Sequence, residues 1–288
     1  MATADDSDSG AGALRLDRLV SRVGSVGYNA LVYLTIGFLL LPLAIVVVVS
    51  FQESSYATWP PTGFTLDHYR GLTELGYLNL DQALFVSLEL AVATGIVSTT
   101  LGAFAAFAIV RYDFRYQTTL ESILISPLIY PWIVVGLALL LFFNRIGTAI
   151  GVTVEMSFWT LLAGHVIFTV PYPIRTIGAS LQNYDHSLEE AARNLGATEL
   201  ESYLRITVPL IQPGLVSGFI FAFILSFNQY IISLFLSGSG TQTMPLVLFS
   251  MFYNQAPATL AAIATLLMTG ILSIIFLMEY LFGISEFM

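Results

Sequence analysis

The chain has 288 residues, 56% of them hydrophobic and 10% charged, with a formal net charge of −9 and a pI near 4.6. That apolar share places it in the membrane class, and the absence of cysteine excludes disulfides and thiolate metal sites. All ten basic residues are arginine, which excludes a lysine-bearing phosphate loop, and the acidic balance excludes a basic nucleic-acid-binding surface.

Residues 1 to about 13 are small and acidic, and they read as a disordered tail. Arg15, Arg18 and Arg22 come directly before the first apolar run, which assigns residues 1–27 to the cytoplasm. That run, Tyr28 to Ser50, is free of charge and long enough to cross a hydrocarbon layer of about 30 Å. It is too long for a signal peptide and has no small-residue cleavage site. Charge-free windows recur from Leu90 to Val110, Ser122 to Asn144 and Met156 to Ile174. A last one, Ile206 to Met278, must hold two spans, because Ser237 to Pro257 breaks it with Gly, Ser, Pro and Gln. The expectation is an all-α membrane protein of six transmembrane helices, with its membrane domain over 28–282 and a cytoplasmic tail at 283–288. Arg15, Arg18, Arg22, Arg111, Arg115, Arg175, Arg193 and Arg205 then fall on one side, and Arg70 and Arg145 on the other. This asymmetry puts both termini inside and leaves segments of about 52–81, 145–156 and 237–258 outside.

Within the spans, Pro127 and Pro131 bracket Tyr130 and Trp132, while Pro171 and Pro173 lie near the inner end of the fourth. Prolines bend membrane helices and free backbone carbonyls, so these are candidate gate elements. Glu89, His165 and Glu279 fall in or near the apolar layer, where an ionised group at mid-span costs at least ~2.5–3.5 kcal/mol. Glu279 is close enough to the inner end to reach the headgroups. For His165 an interhelical hydrogen bond is the first reading. Asn228, Gln229 and Tyr230 fall mid-membrane in the fifth span, where the amides either knit helices or line a substrate path. Candidate path residues are therefore Glu89, Tyr130, Trp132, His165, Asn228, Gln229 and Tyr230. No catalytic constellation is present: Gly238-Ser239-Gly240 lacks the nucleophile-elbow spacing, and no metal-ligand motif exists.

Ser187 to Pro209 is the longest polar, helix-forming stretch between spans. Ser187 with Glu190 and Thr198 with Glu201 both have capping-box spacing, and Gly196 between them can end the first helix in a left-handed conformation. Ala191, Ala192 and Gly196 leave a smooth face. Glu190-Ala191-Ala192, then Gly196, Ile206 and Pro209, resemble the EAA motif of the permease subunits of type I binding-protein-dependent ABC importers; Val208 stands where the motif has Leu. The resemblance implies a cytoplasmic coupling-helix loop at about 185–208 between spans 4 and 5. Glu189, Glu190, Ala191, Ala192, Arg193, Gly196 and Ala197 would contact the ATPase.

The resemblance also implies partners. These are two ATP-binding cassette subunits that hold ATP and magnesium, a second permease subunit (a heterodimer is favoured), and an extracytoplasmic solute-binding protein. No cofactor is expected in this chain, which would sit in the cell membrane of a prokaryote and use alternating access. Leu225 to Met251 resembles the spermidine/putrescine branch, although the neutral Asn228 and Gln229 stand where several members have acidic residues. Thiamine and iron importers remain alternatives, and an ion-driven secondary transporter is the rival class. The lysine-free, acidic surface motivates the hypothesis of a salty cytoplasm, as in a halophilic archaeon; undiminished activity in low salt would count against it.

Overall fold

The computed structural model describes the backbone of residues 6–56, 58–74, 79–151, 154–254 and 257–282. Among these residues the regular structure is helical, apart from one isolated bridge between Gln52 and Phe64. The helices are α1 (Asp6–Ser50), α2 (Asp67–Arg70), α3 (Leu80–Arg111), α4 (Gln117–Ile125), α5 (Trp132–Ile150), α6 (Phe158–Thr169) and α7 (Pro171–Asn183). They continue as α8 (Ser187–Asn194), α9 (Glu199–Ser202), α10 (Val208–Leu210), α11 (Gln212–Phe227), α12 (Ile231–Leu236), α13 (Met244–Asn254) and α14 (Pro257–Phe282). Four stretches are long and apolar enough to cross a membrane: Gly27–Ser50, Leu80–Arg111, Trp132–Ala149 and Pro257–Leu277. A fifth is obtained if Glu199–Leu210 and Gln212–Phe227, bent by 65° at Ile211, count as one span.

Several boundaries differ from the sequence expectations, each for a local reason. The backbone of the acidic start is helical from Asp6 onward. The third apolar window is divided: α4 ends at Ile125, and the long helix begins only at Trp132, after Pro131 in extended backbone at ψ 130°. Pro131 has no N–H and excludes the helical conformation from the residue before it, so the spanning segment moves towards Asn144 and Arg145, which lie inside α5. The fourth window is likewise two helices, α6 and α7, joined through Val170 with Pro171 at the first helical position. The stretch from Ser237 to Pro257, expected as an irregular break, contains the apolar helix α13. The fifth span expected from the sequence is interrupted: α11 ends at Phe227 and α12 begins at Ile231.

Contacts divide the chain into residues 1–71 with 256–268, and residues 72–255 with 269–288. In the first unit the extended segment after α1 is held by side chains. The Ser50 and Tyr69 hydroxyls bond at 2.7 Å, and His68 Nε2 lies 2.9 Å from the Gln52 carbonyl. In the second unit α3, α7 and α11 pack on one another, burying Ala106, Ile177, Leu181 and Ile211. A second cluster of Leu90, Leu161, Phe168, Ile232 and Leu236 joins α3, α6 and α12. Ser98 and Thr169 hydroxyls bond across α3 and α6 at 2.7 Å.

The close approach of α3, α7 and α11 depends on glycine. A Cβ at Gly102 would stand 2.6 Å from Pro173 Cβ, and one at Gly218 3.0 Å from Pro173 Cα and 2.9 Å from Thr176 Oγ1. Backbone cannot retreat as a flexible side chain can. We therefore expect Gly218→Val to lower the thermal midpoint of the detergent-solubilised protein, at a cost of ~1–3 kcal/mol. Gly270→Ala, where nothing lies within 4 Å, should not lower it; equal midpoints for the two would contradict the packing described.

Candidate functional site

The polar segment between α7 and α11 is built as a two-helix element, and its local physics explains both helices. In α8 the acidic residues Glu189 and Glu190 fall in the first turn and Arg193 in the last, as the helix dipole favours. The expected cap by Ser187 is not formed. Asp185 does this work instead, its carboxylate accepting the Ser187 backbone N–H at 2.9 Å, because the helix starts at Ser187 itself and the cap must precede it. At the other end Gly196 has φ +96°. The Gly196 N–H reaches the Arg193 carbonyl at 2.9 Å and the Ala197 N–H that of Ala192 at 3.0 Å, the pair of bonds of a Schellman ending.

The second expected cap is present. Thr198 Oγ1 accepts the Glu201 N–H at 3.3 Å, and Glu201 accepts the Thr198 N–H at 3.0 Å. Hydrogen bonds from Ser187 and Thr198, respectively, hold the Asp185 and Glu201 carboxyls below their ordinary pKa values. Both caps are therefore complete at neutral pH and are lost only as acid protonates these carboxylates through their lowered values. An ion pair of 3.0 Å between Arg193 and Glu199 ties α8 to α9 across the glycine turn.

After α9, Tyr203–Thr207 forms a π-helical turn and Pro209 follows. Proline has no N–H for the carbonyl four residues back, so a widened turn relieves the ladder here. The widening brings Tyr203 and Thr207 to the same buried point. There Arg111, in the last turn of α3, meets Glu189 of α8 in a two-pronged pair: Nη1 donates to Oε2 at 2.9 Å, and Nη2 donates to Oε1. The Tyr184 and Thr207 hydroxyls both donate to the same Oε1, and Arg111 Nη2 also reaches the Tyr184 oxygen. The guanidinium lies over the rings of Tyr184, Tyr203 and Phe107 at 5.4, 5.9 and 6.0 Å. Phe107 and Tyr203 themselves meet edge to face, with centroids 6.1 Å apart.

This arrangement decides which face of the element is free. Glu189 is 7% exposed, so of the residues expected to contact a partner it is the one turned inward. Glu190, Ala191, Arg193 and Gly196 are exposed, and Ala192 and Ala197 are half-buried. Beside them Leu195 is 90% exposed, and Leu188, Leu200 and Leu204 are exposed as well. Uncovered leucines on a polar element leave apolar surface in contact with solvent in the isolated chain. Sequence reasoning missed Arg111, Tyr184, Tyr203 and Thr207. Only Arg111 had a signal, an arginine closing an otherwise apolar window.

The path candidates do not form one cluster. His165 is fully buried between Ser226 and Ser233. Gln229 is buried, and its Oε1 accepts the Ile231 N–H at 3.0 Å, capping α12 rather than lining a path. Asn228 is exposed at the helix break, with Nδ2 donating to the Ile224 carbonyl at 2.9 Å. Tyr230 packs on Phe249 at a tilt of 37° with centroids 4.6 Å apart, and Trp132 meets Phe168 edge to face at 5.2 Å. Tyr130 and Glu89 are exposed, the latter on α3. The side chain of Glu279 lies outside the described residues.

Comparison with known proteins adds a family. The sequence pattern of "Binding-protein-dependent transport system inner membrane component" matches residues 98–282. The chain is 33% identical over 264 residues to the putrescine transport system permease protein PotI of Escherichia coli K12, covering 89% of this chain and 91% of that one. It is 31% identical to the spermidine/putrescine transport system permease protein PotC of Haemophilus influenzae, covering 87% and 94%. In fold it resembles a chain of a bacterial ABC transporter involved in import of the acidic polysaccharide alginate, with TM-score 0.68, 16% identity and coverage of 93% and 98%.

The pair at Arg111 yields a direct expectation. Breaking a buried, hydrogen-bonded pair by removing one partner leaves an uncompensated charge, so Arg111→Met should destabilise the protein by ~3–5 kcal/mol. The double variant Arg111→Met with Glu189→Met should recover much of that loss. Thermal unfolding of the three proteins in detergent checks it, and simple addition of the two single effects would contradict a direct pair.

Proposed function

Since this chain belongs to the family of binding-protein-dependent transport system inner membrane components, we propose that it forms half of the translocation pathway of an ATP-driven importer. It has no engine of its own. Energy enters through the two-helix element, a coupling loop that docks on a separate ATPase holding ATP and magnesium. Six spans with both termini in the cytoplasm place that loop on the ATPase side. α4 and α5 together form the third span, α6 and α7 the fourth, and the broken fifth span runs through α11 and α12. The other half of the pathway is a second permease subunit, a paralogue in preference to a second copy, and an external binding protein delivers the solute.

One observation carries this reading. The inner side of the loop is fixed to α3 by the Arg111–Glu189 pair, while the outer side exposes Glu190, Ala191 and Leu195. An element so fastened on one side and so open on the other is suited to pass a push from a docked partner to the membrane helices. The solute is proposed to be a polyamine-like organic cation. Support comes from relatives named for putrescine and spermidine and from the net charge of −9, which favours the approach of cations. Neutral Asn228 at the break would offer a carboxamide oxygen to an ammonium group, and Glu89 a carboxylate.

Gly196 gives the test. Its surroundings hold nothing within 4 Å, so a side chain there meets no part of this chain, although φ +96° strains any residue but glycine. Gly196→Asp is expected to abolish ATP-driven uptake in vesicles containing the full complex, while the chain still inserts. Leu195→Asp, at a position without positive φ, should weaken ATPase co-purification by about tenfold or more, as loss of a well-buried interface anchor does. Full uptake and undiminished co-purification for both variants would refute the docking assignment.

A further inference from the structure

The fifth span is not a continuous helix, and one side chain from a neighbouring helix bridges its interruption. α11 ends at Phe227, and α12 starts at Ile231. The break is stitched locally: the Gln229 N–H turns to the Ser226 carbonyl at 3.1 Å, and the Gln229 side chain caps the Ile231 N–H. His165 of α6 then reaches both halves at once. Its Nδ1 lies 2.8 Å from Ser226 Oγ on the last turn of α11, and its Nε2 lies 3.1 Å from Ser233 Oγ on α12.

The hydroxyls fix the proton on the ring. Ser233 Oγ donates its single proton to the Gln229 carbonyl at 2.8 Å, so towards His165 it can only accept. Nε2 therefore bears the hydrogen, Nδ1 is a bare acceptor, and Ser226 donates to it. The ring is anchored in turn, since Thr169 Oγ1 donates to the His165 carbonyl at 2.8 Å and receives a bond from Ser98 of α3. A neutral imidazole with one donor and one acceptor is matched to two serines with opposite roles. A side chain that merely filled space would need neither nitrogen.

We propose that His165 is a positioning residue for transport: it holds the fifth span open at residues 228–230 and so presents Asn228 to the solute. This rests on the reading of the chain as half of a solute pathway. Without the histidine, Ser226 and Ser233 lose their common partner, and the two half-helices are free to join as one. Rejoining adds regular turns through residues 228–230 and rotates Asn228 away from the position it now holds. The carbonyls freed by the interruption would return to the helix ladder.

The cysteine-free chain permits a clean test. In the assembled complex, Asn228→Cys as the sole thiol should react with a small water-soluble maleimide. Adding His165→Leu should slow that reaction about tenfold, as expected for loss of two interhelical hydrogen bonds in a membrane protein. Glu121→Cys, at an exposed position of α4 outside the proposed docking face, should react at the same rate with and without His165→Leu, and co-purification of the ATPase reports that the complex is intact. Adding Ser226→Ala to His165→Leu should slow the reaction at 228 no further. Should His165→Leu fail to assemble, Ser226→Ala and Ser233→Ala each remove one arm and give the same readout.

In uptake measurements, Ser226→Ala should raise the KM for putrescine more than it lowers the maximal rate. An unchanged rate at position 228 without the histidine, or serine and histidine effects that add, would overturn the proposal. Labelling needs no transport. If the labelling contrast is seen but the complex of the unsubstituted chain shows no ATP-driven uptake, the functional reading is refuted and the bridging role of His165 stands.

Discussion

A single buried ion pair, Arg111 with Glu189, sets where the polar element sits on the helices. Removing both charges from water is costly, and the pair is tolerable because its geometry offsets that cost: two guanidinium bonds and two hydroxyl donors on the carboxylate, with aromatic rings around the arginine. Such a pair adds little to overall stability compared with apolar packing. What it supplies is specificity of position, because the Glu189 carboxylate meets the guanidinium and two hydroxyls at one buried point. The aromatic and hydroxyl partners come from the end of α3, the end of α7 and the π turn, so together with Glu189 of α8 the pair joins four segments.

The helices themselves are organised by punctuation. Pro131, Pro171 and Pro209 divide what composition presents as uniform apolar windows, and the segments they leave can change direction. Glycines at 102 and 218 allow α3 and α11 to touch α7 at Pro173. At the far end of α11 the reverse holds: the helix is opened, and the opening is bridged by His165.

Much of this was legible in the sequence because it rests on local rules. Charge-free windows marked the apolar segments, the Thr198–Glu201 cap formed as its spacing required, and Gly196 took the positive φ expected of it. The motif around Glu190 identified the family that the comparisons then established. What escaped depends on contacts distant in sequence. Nothing local distinguishes the inward Glu189 from the outward Glu190; the choice is made by Arg111, far upstream in the chain. Asp185 displaced Ser187 as the cap because the helix begins one residue earlier than the spacing suggested. Gln229 looked like a path residue by composition, yet the helix break turned it into a cap, leaving Asn228 as the exposed amide.

The central claim is that the coupling element and α3 move as one rigid body when the ATPase drives the importer. The absence of cysteine in this chain allows spin labels to be placed at Asn194 on α8 and Phe104 on α3 in the assembled complex, with their separation measured by pulsed electron resonance. The account predicts a distance distribution that is the same in the nucleotide-free and ATP-bound states, while the separation between the Asn194 position and the coupling loop of the second permease subunit shortens. A shift of the first distribution on ATP binding would show that the loop moves independently of α3, and would contradict the account.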